Sequence, residues 1–151
     1  THQLRYHGFL CAMEQRGLTL NVIENPENSS SLQAGYQLGK QLFAQGLTCT
    51  AIFAATDSLA LGVIQAADEF NIRIPEDVSL LGFDNISYAA LPKITLSTIG
   101  QRKSALAESA VRLLVSLIEQ PSNDGYAHHM IRPALIERHS CAAPQLTKPT
   151  P

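Results

Sequence analysis

Three apolar stretches in this chain each run directly into polar side chains, and those polar groups are the first candidates for chemistry. Residues 18–24 lead into Asn25 and a polar loop ending at Ser31; residues 50–55 lead into Thr56 and Asp57; residues 78–83 lead into Asp84 and Asn85. In open parallel α/β sheets, ligands bind beyond the carboxyl ends of the strands. Carboxylates, amides and hydroxyls gathered there can accept hydrogen bonds from a polyol or a purine-like ring. Plainer roles stay open for the same residues: Asp57 as the cap of the helix that follows it, and Asp84 as a turn former.

Other chemistry is thinly represented. There is no G-x-S-x-G elbow, no G-x-G-x-x-G and no P-loop. His128 and His129 are adjacent, so on a strand they would point to opposite faces and could not share a metal. His2 and His7 belong to no cluster, and Glu137 and Arg138 read as surface charges or an ion pair. The three cysteines, Cys11, Cys49 and Cys141, are odd in number and fit no metal or redox spacing. They read as free thiols of a reducing compartment, with Cys11 and Cys49 packed. Two glycosylation-like triplets, at Asn28 and Asn85, are of the kind that arises by chance. The expectation is a chain that is not an enzyme and has neither cofactor nor metal.

The elements that must position the polar groups alternate. Helices are expected over residues 4–16, stopped by Gly17, and from Leu32 to a stop at Gly46. In the second, Leu32, Gly35, Tyr36, Gly39, Leu42 and Phe43 form one face. After the strand at 50–55, Asp57 or Ser58 is expected to cap a helix with Leu59, Gly62, Val63, Ala66, Ala67 and Phe70 as its buried stripe, closed by Asn71. Pro75-Glu76-Asp77 is a turn before the strand at 78–83. A short strand is expected over 94–98, then a long helix capped by Ser104 with Leu106, Ala110, Leu113, Leu114 and Leu117 as its stripe. A loop at 121–125, extended segments at 127–131 and 134–139, and a Pro-rich tail over 142–151 complete the chain. Strands that are apolar throughout are buried on both faces. The fold class is therefore α/β: a mainly parallel sheet flanked by helices, with 50–55 and 78–83 as adjacent central strands.

Composition agrees with that architecture. A chain of 151 residues with 45% hydrophobic and 16% charged residues can bury a sizeable core. The net charge is −2 and the Lys and Arg residues are scattered, which is unlike a nucleic-acid surface. No apolar run approaches the roughly 18 residues that span a bilayer. No export signal is recognisable.

Five segments stand in order and in register along nearly the whole chain: Arg5-Tyr6-His7-Gly8-Phe9, Ala51-Ile52-Phe53-Ala54-Ala55-Thr56-Asp57-Ser58-Leu59-Ala60-Leu61-Gly62, Ile74-Pro75-Glu76-Asp77-Val78-Ser79-Leu80-Leu81-Gly82-Phe83-Asp84-Asn85, Leu96-Ser97-Thr98-Ile99-Gly100-Gln101 and Leu135-Ile136-Glu137-Arg138-His139-Ser140. Together they resemble the signature segments of the LacI/GalR family of transcription regulators. The resemblance implies that residues 1–141 are the second lobe of a periplasmic-binding-protein-like (type I) effector-binding and dimerisation domain, with the lobe's opening strand, a first lobe and a helix-turn-helix upstream. It implies a small-molecule effector, a sugar or else a nucleoside or purine, held between two lobes. Operator DNA would be bound by the upstream helix-turn-helix and not by this part, in the cytoplasm, with no membrane association.

The resemblance also implies site residues. Arg5 corresponds to an effector-contacting arginine and Asp84 to an aspartate that accepts effector hydrogen bonds. Thr1, Thr56, Asp57 and Gln101 fall at pocket positions of variable role. Thr56 replaces a frequent asparagine, and Ser30 stands where several members carry an aromatic that stacks on the ligand. Arg5 and Asp84 could instead simply pair with each other. The family forms homodimers through this lobe, and here the segment 83–90 and the outer edges of the helix over 58–70 are candidates, with Tyr88 and Leu91 as apolar groups a partner would cover. A transport or chemotaxis solute-binding protein, which shares the fold, is the alternative reading.

Overall fold

A computed structural model describes residues 2–24, 29–119 and 128–144. Its elements are α1 (His2–Glu14), α2 (Leu32–Ala44), β1 (Ala51–Phe53), α3 (Asp57–Glu69), β2 (Ser79–Phe83), a short 3-10 turn (Ser87–Ala90), β3 (Ser97–Gly100), α4 (Lys103–Glu119) and β4 (Ala134–Ile136). The strands form one sheet in the order β1-β2-β3-β4, with β1-β2 and β2-β3 parallel and β3-β4 antiparallel. The mainly parallel sheet expected from the apolar strands is present, and β1 and β2 are neighbours. However, β1 ends the described order and is not a central strand.

Helices cover both faces, as the alternation of side chains along β2 requires. Leu80 and Gly82 look toward α3: Leu80 is fully buried in a cluster with Ala60, Val63, Ala66 and Ala67 of that helix. Phe53, the register partner of Leu81, stacks on Phe9 of α1 with ring centroids 4.7 Å apart. Phe83 carries the Arg5 guanidinium of α1 over its ring, 3.9 Å from the centroid.

α2 and α3 pack backbone to backbone. A Cβ built on Gly62 would meet Leu32 O, Tyr36 N and the Gly35 carbonyl carbon, and one on Gly35 would meet Leu59 O and Cα. Only glycine permits so close an approach. Ser31 caps α2 by accepting from Ala34 N–H at 3.1 Å. The expected helix stops are seen in left-handed backbone at Gly17 and Gly46 (φ 63° and 84°) and at Asn71 (φ 55°). At the outer edge of this helix pair, Glu69 accepts from Tyr36 and Lys40. These bonds hold the Glu69 carboxyl below its usual range and the Lys40 ammonium above its own.

Several expectations are corrected. Residues 18–24 form no ladder with any described strand, and Leu18 and Val22 remain 54% and 46% exposed. Apolar β-formers make a strand only where a neighbour supplies hydrogen bonds. The strand expected at 94–98 begins three residues later, at Ser97, because Thr95 takes a left-handed φ of 40°. Ser104 lies inside α4 instead of capping it, and β4 covers only Ala134–Ile136 of the segment 134–139.

α4 has an apolar stripe but no buried residue, with Leu106, Leu114 and Leu117 each about half exposed. Periodicity shows which face of a helix is apolar, whereas burial also needs a partner surface. Cys11 is exposed, not packed. Cys49 is half-buried, and desolvation raises its thiol pKa. Residues 128–131 are not strand, and His129 Nδ1 lies 2.9 Å from Ser109 Oγ. The loop at 121–125 and most of the Pro-rich tail fall outside the described residues.

Candidate binding site

The site lies at the carboxyl ends of β1, β2 and β3. Arg5, in the first turns of α1, reaches across them. Its Nη1 donates to Ala55 O just past β1 at 2.6 Å, and its Nη2 donates to Asp84 Oδ1 just past β2 at 2.9 Å. Gln101, the residue after β3, donates from Nε2 to the same Asp84 oxygen at 3.1 Å. The ring of Phe83 backs the guanidinium. The Arg5 and Asp84 side chains are 14% and 27% exposed, so the pair is sheltered yet open to a ligand. Arg5 donates in a fixed plane and Asp84 only accepts, which together complement neighbouring hydroxyls or the edge of a heterocycle.

Asp84 is aimed by strained backbone. It has φ 112° and Asn85 has φ 50°, a region that residues with a Cβ rarely occupy. Five contacts among the described residues hold this corner, one of them the Asn85 N–H donating to Thr98 Oγ1 at 3.4 Å. Asp84 N–H donates to Ile99 O at 2.9 Å and Ile86 N–H to Asp57 Oδ2 at 2.9 Å. Lys103 Nζ reaches Asn85 O at 3.5 Å, and Arg138 Nη2 donates to Asn85 Oδ1 at 2.8 Å.

The sequence candidates divide. Arg5, Asp84 and Gln101 converge, whereas Thr56 and Asp57 lie beneath the site as supports. Thr56, not Asp57 or Ser58, caps α3: its hydroxyl accepts from Leu59 N–H at 3.2 Å and the residue is buried. Asp57 is the first residue of α3 and fully buried; besides Ile86 N–H, it accepts from the Thr98 hydroxyl at 2.6 Å. Ser30 is half-buried beside the Ser31 cap, in the loop before α2. Thr1 lies outside the described residues. Tyr88 and Leu91, on and just after the 3-10 turn, are 62% and 48% exposed.

Sequence reasoning missed two supports. Arg138 is neither a free surface charge nor paired with Glu137. It is half-buried and donates from Nη1 to Leu96 O at 2.6 Å as well as to Asn85. Ser140 is buried, donates to Leu80 O at 2.6 Å and accepts from Ser97 N–H at 2.8 Å, so it pins the segment after β4 across β2 and β3. Both stand in the segment Leu135–Ser140 that carries the family resemblance, and that was the available signal. Among the described residues no cluster of His, Cys, Asp and Glu could hold a metal. No described helix is long and apolar enough to cross a membrane.

A mainly parallel sheet with polar side chains gathered at its carboxyl edge has the layout in which open α/β sheets place a ligand. The chain belongs to the periplasmic binding protein-like domain family, whose model matches residues 1–141. Within it, the chain resembles the effector-binding region of LacI/GalR-type regulators. It is 36% identical over 138 residues to the HTH-type transcriptional repressor PurR of Pectobacterium carotovorum, covering 91% of this chain and 40% of that protein. It is 37% identical over 140 residues to the PurR repressor of Pasteurella multocida, covering 93% of this chain and 42% of that protein. A LacI family regulator from Enterococcus faecium, solved with bound ribose, superposes with a TM-score of 0.81 at 30% identity, over 93% of this chain and 51% of that one. The chain thus spans about 40% of the length of the curated relatives and about half of the solved one.

Proposed function

We propose that this chain is one wall of the effector site of a LacI/GalR-type transcription regulator, binding a small polar molecule, sugar-like or purine-like, between itself and a second lobe. The observation that carries the reading is the convergence of Arg5, Asp84 and Gln101 at the carboxyl edge of three successive strands. The arginine and the carboxylate satisfy each other. A ligand's hydroxyls or ring edge can take over those bonds at little net desolvation cost. The relatives' named roles as repressors, and the ribose held by the structural neighbour, agree with this and do not favour a transport protein. Effector held between lobes would favour one lobe arrangement, and operator affinity would follow from how that arrangement places the DNA-binding heads. On this reading the protein acts on DNA in the cytoplasm and is no enzyme.

Calorimetric titration of the full-length regulator tests the site. One hydrogen bond to a charged group is worth about 1.5–3 kcal/mol, so Asp84→Asn and Arg5→Ala should each weaken effector binding roughly ten- to a hundredfold. Operator affinity without effector should stay close to wild type. Unchanged effector affinity in both variants would show that the pair is structural only.

A homodimer is the proposed assembly, with Tyr88 and Leu91 at its contact because both are large, apolar and exposed on one short segment. Sedimentation equilibrium should give a dimer at micromolar concentration and a shift toward monomer in Tyr88→Glu. A wild-type protein that stays monomeric at high concentration would remove this part of the proposal.

A further inference from the structure

Arg138 sits at the far end of the described chain from Arg5, and both terminal nitrogens of its guanidinium are engaged within the protein. Nη1 donates to Leu96 O at 2.6 Å and Nη2 to Asn85 Oδ1 at 2.8 Å, while its own backbone N–H donates to Ser97 Oγ at 2.9 Å. One side chain thus ties the segment after β4 to the entry of β3 and to the corner after β2. The corner it grips is the strained one, with positive φ at both Asp84 and Asn85. Left-handed backbone at a residue with a Cβ persists only where surrounding contacts over-determine it. The buried Asp57 carboxylate fixes Ile86 from below, and Asp84 N–H is fixed by Ile99 O. The Asn85 side chain between them is held by Arg138.

We propose that Arg138 is a positioning residue for the binding site: by holding Asn85 in its left-handed conformation, it keeps the Asp84 carboxylate where Arg5 and Gln101 meet it. The inference rests on the reading of that array as an effector site, but it makes a separate claim, that geometry at Asp84 is set from β4 through Asn85. Arginine is required because its planar fork spans two acceptors on different segments, and a lysine ammonium has no such fork. Asn85 suits the other end because it tolerates positive φ and offers a side-chain acceptor.

The decisive measurement needs no effector. In NMR of the full-length protein, Arg138→Met and Asn85→Gly should both speed amide exchange at Asp84 and Ile86 and free the Arg5 guanidinium to rotate. Leu80 and Gly82 in the body of β2 should be unaffected. Asn85→Asp, which keeps both the acceptor and the tolerance of positive φ, should behave as wild type. Asn85→Gly removes the anchor while leaving the Arg138 bond to Leu96 O, so it answers even if Arg138→Met folds poorly. Corner amides and an Arg5 side chain unchanged in Asn85→Gly would overturn the proposal.

With D-ribose as the probe, each of the two loosening variants should bind about tenfold more weakly, the loss expected when one hydrogen bond from a charged donor goes. Arg138→Met should add little further loss in an Asp84→Asn background, because it acts through Asp84. Additive losses would place its effect elsewhere and overturn the proposal. If Asp84→Asn and Arg5→Ala leave affinity untouched, the proposed effector reading is what fails; if wild type does not bind ribose, only the sugar-like form of that reading fails; in both cases the NMR result still decides the role of Arg138.

Discussion

Asp57→Ala should lower stability by about 2–4 kcal/mol, because it strands one buried donor at roughly 1–3 kcal/mol and takes the partner of a second, part-buried one. Those donors are the Thr98 hydroxyl on β3 and the Ile86 backbone N–H beyond β2, which Asp57 bridges from the start of α3 while itself fully buried. No other described contact serves the Ile86 N–H, and Thr98 is also fully buried, so water has poor access to replace the carboxylate there. Gly82 shows how closely the carboxylate is packed, since a Cβ there would run into Asp57 Oδ1. Asp57→Asn should cost less, because its amide oxygen can still accept from Ile86 N–H while its NH₂ donates to Thr98 Oγ1. Urea unfolding followed by circular dichroism checks both. With a slope of about 1–3 kcal/mol per molar urea, the alanine variant's midpoint should drop by roughly a molar or more. A midpoint equal to wild type would show that Asp57 supports neither β3 nor the corner after β2, and would return it to the list of ligand contacts.

Gly62→Val is expected to be at least as damaging, about 3 kcal/mol or more, at the upper end of what overpacking does. The first carbon of any side chain at this position would meet backbone atoms of α2, the Gly35 carbonyl carbon at 2.7 Å among them. Backbone cannot swing aside as a flexible side chain can, so α2 and α3 would have to separate. Their separation would open the cluster of Phe43, Val63, Ala66 and Leu80 that seats α3 on β2. Gly39→Ala provides the milder case: its new Cβ would meet the Ala66 methyl at 2.8 Å and the Val63 Cα at 3.3 Å, fewer and less severe clashes than at Gly62, and the helix gains roughly 1 kcal/mol of propensity in partial return. Thermal unfolding of the two variants should therefore rank Gly62→Val well below Gly39→Ala. Equal melting temperatures would mean the helices do not cross as closely as these glycines indicate.

The stability effects and the binding effects share one location. α3 begins with Asp57, which fixes Ile86; β4 is followed by Arg138, which fixes Asn85; and Asp84 precedes both. The carboxylate that faces Arg5 is therefore placed by elements that never reach it themselves. Damage to the supports should loosen the site before the fold is lost, whereas a change at Gln101, whose side chain touches Asp84 from outside, should leave the fold intact.

The sequence by itself determined the α/β class, the parallel pairing of the apolar strands at 50–55 and 78–83, the α2 and α3 faces and the stops at Gly17, Gly46 and Asn71, because each follows from local periodicity or local backbone preference. It also singled out Arg5, Asp84 and Gln101 through motifs whose spacing is a property of the chain. Only the tertiary structure decided that Asp57 turns inward to Thr98 and Ile86, that Thr56 is the α3 cap, and that Arg138 is an internal clamp. A carboxylate or guanidinium reads the same in sequence whether it faces solvent, a ligand or a buried N–H. Tertiary structure likewise decided that residues 18–24 form no ladder and that α4 keeps its apolar stripe exposed. An apolar pattern states only what could be buried, and burial itself depends on which other surface comes to meet it.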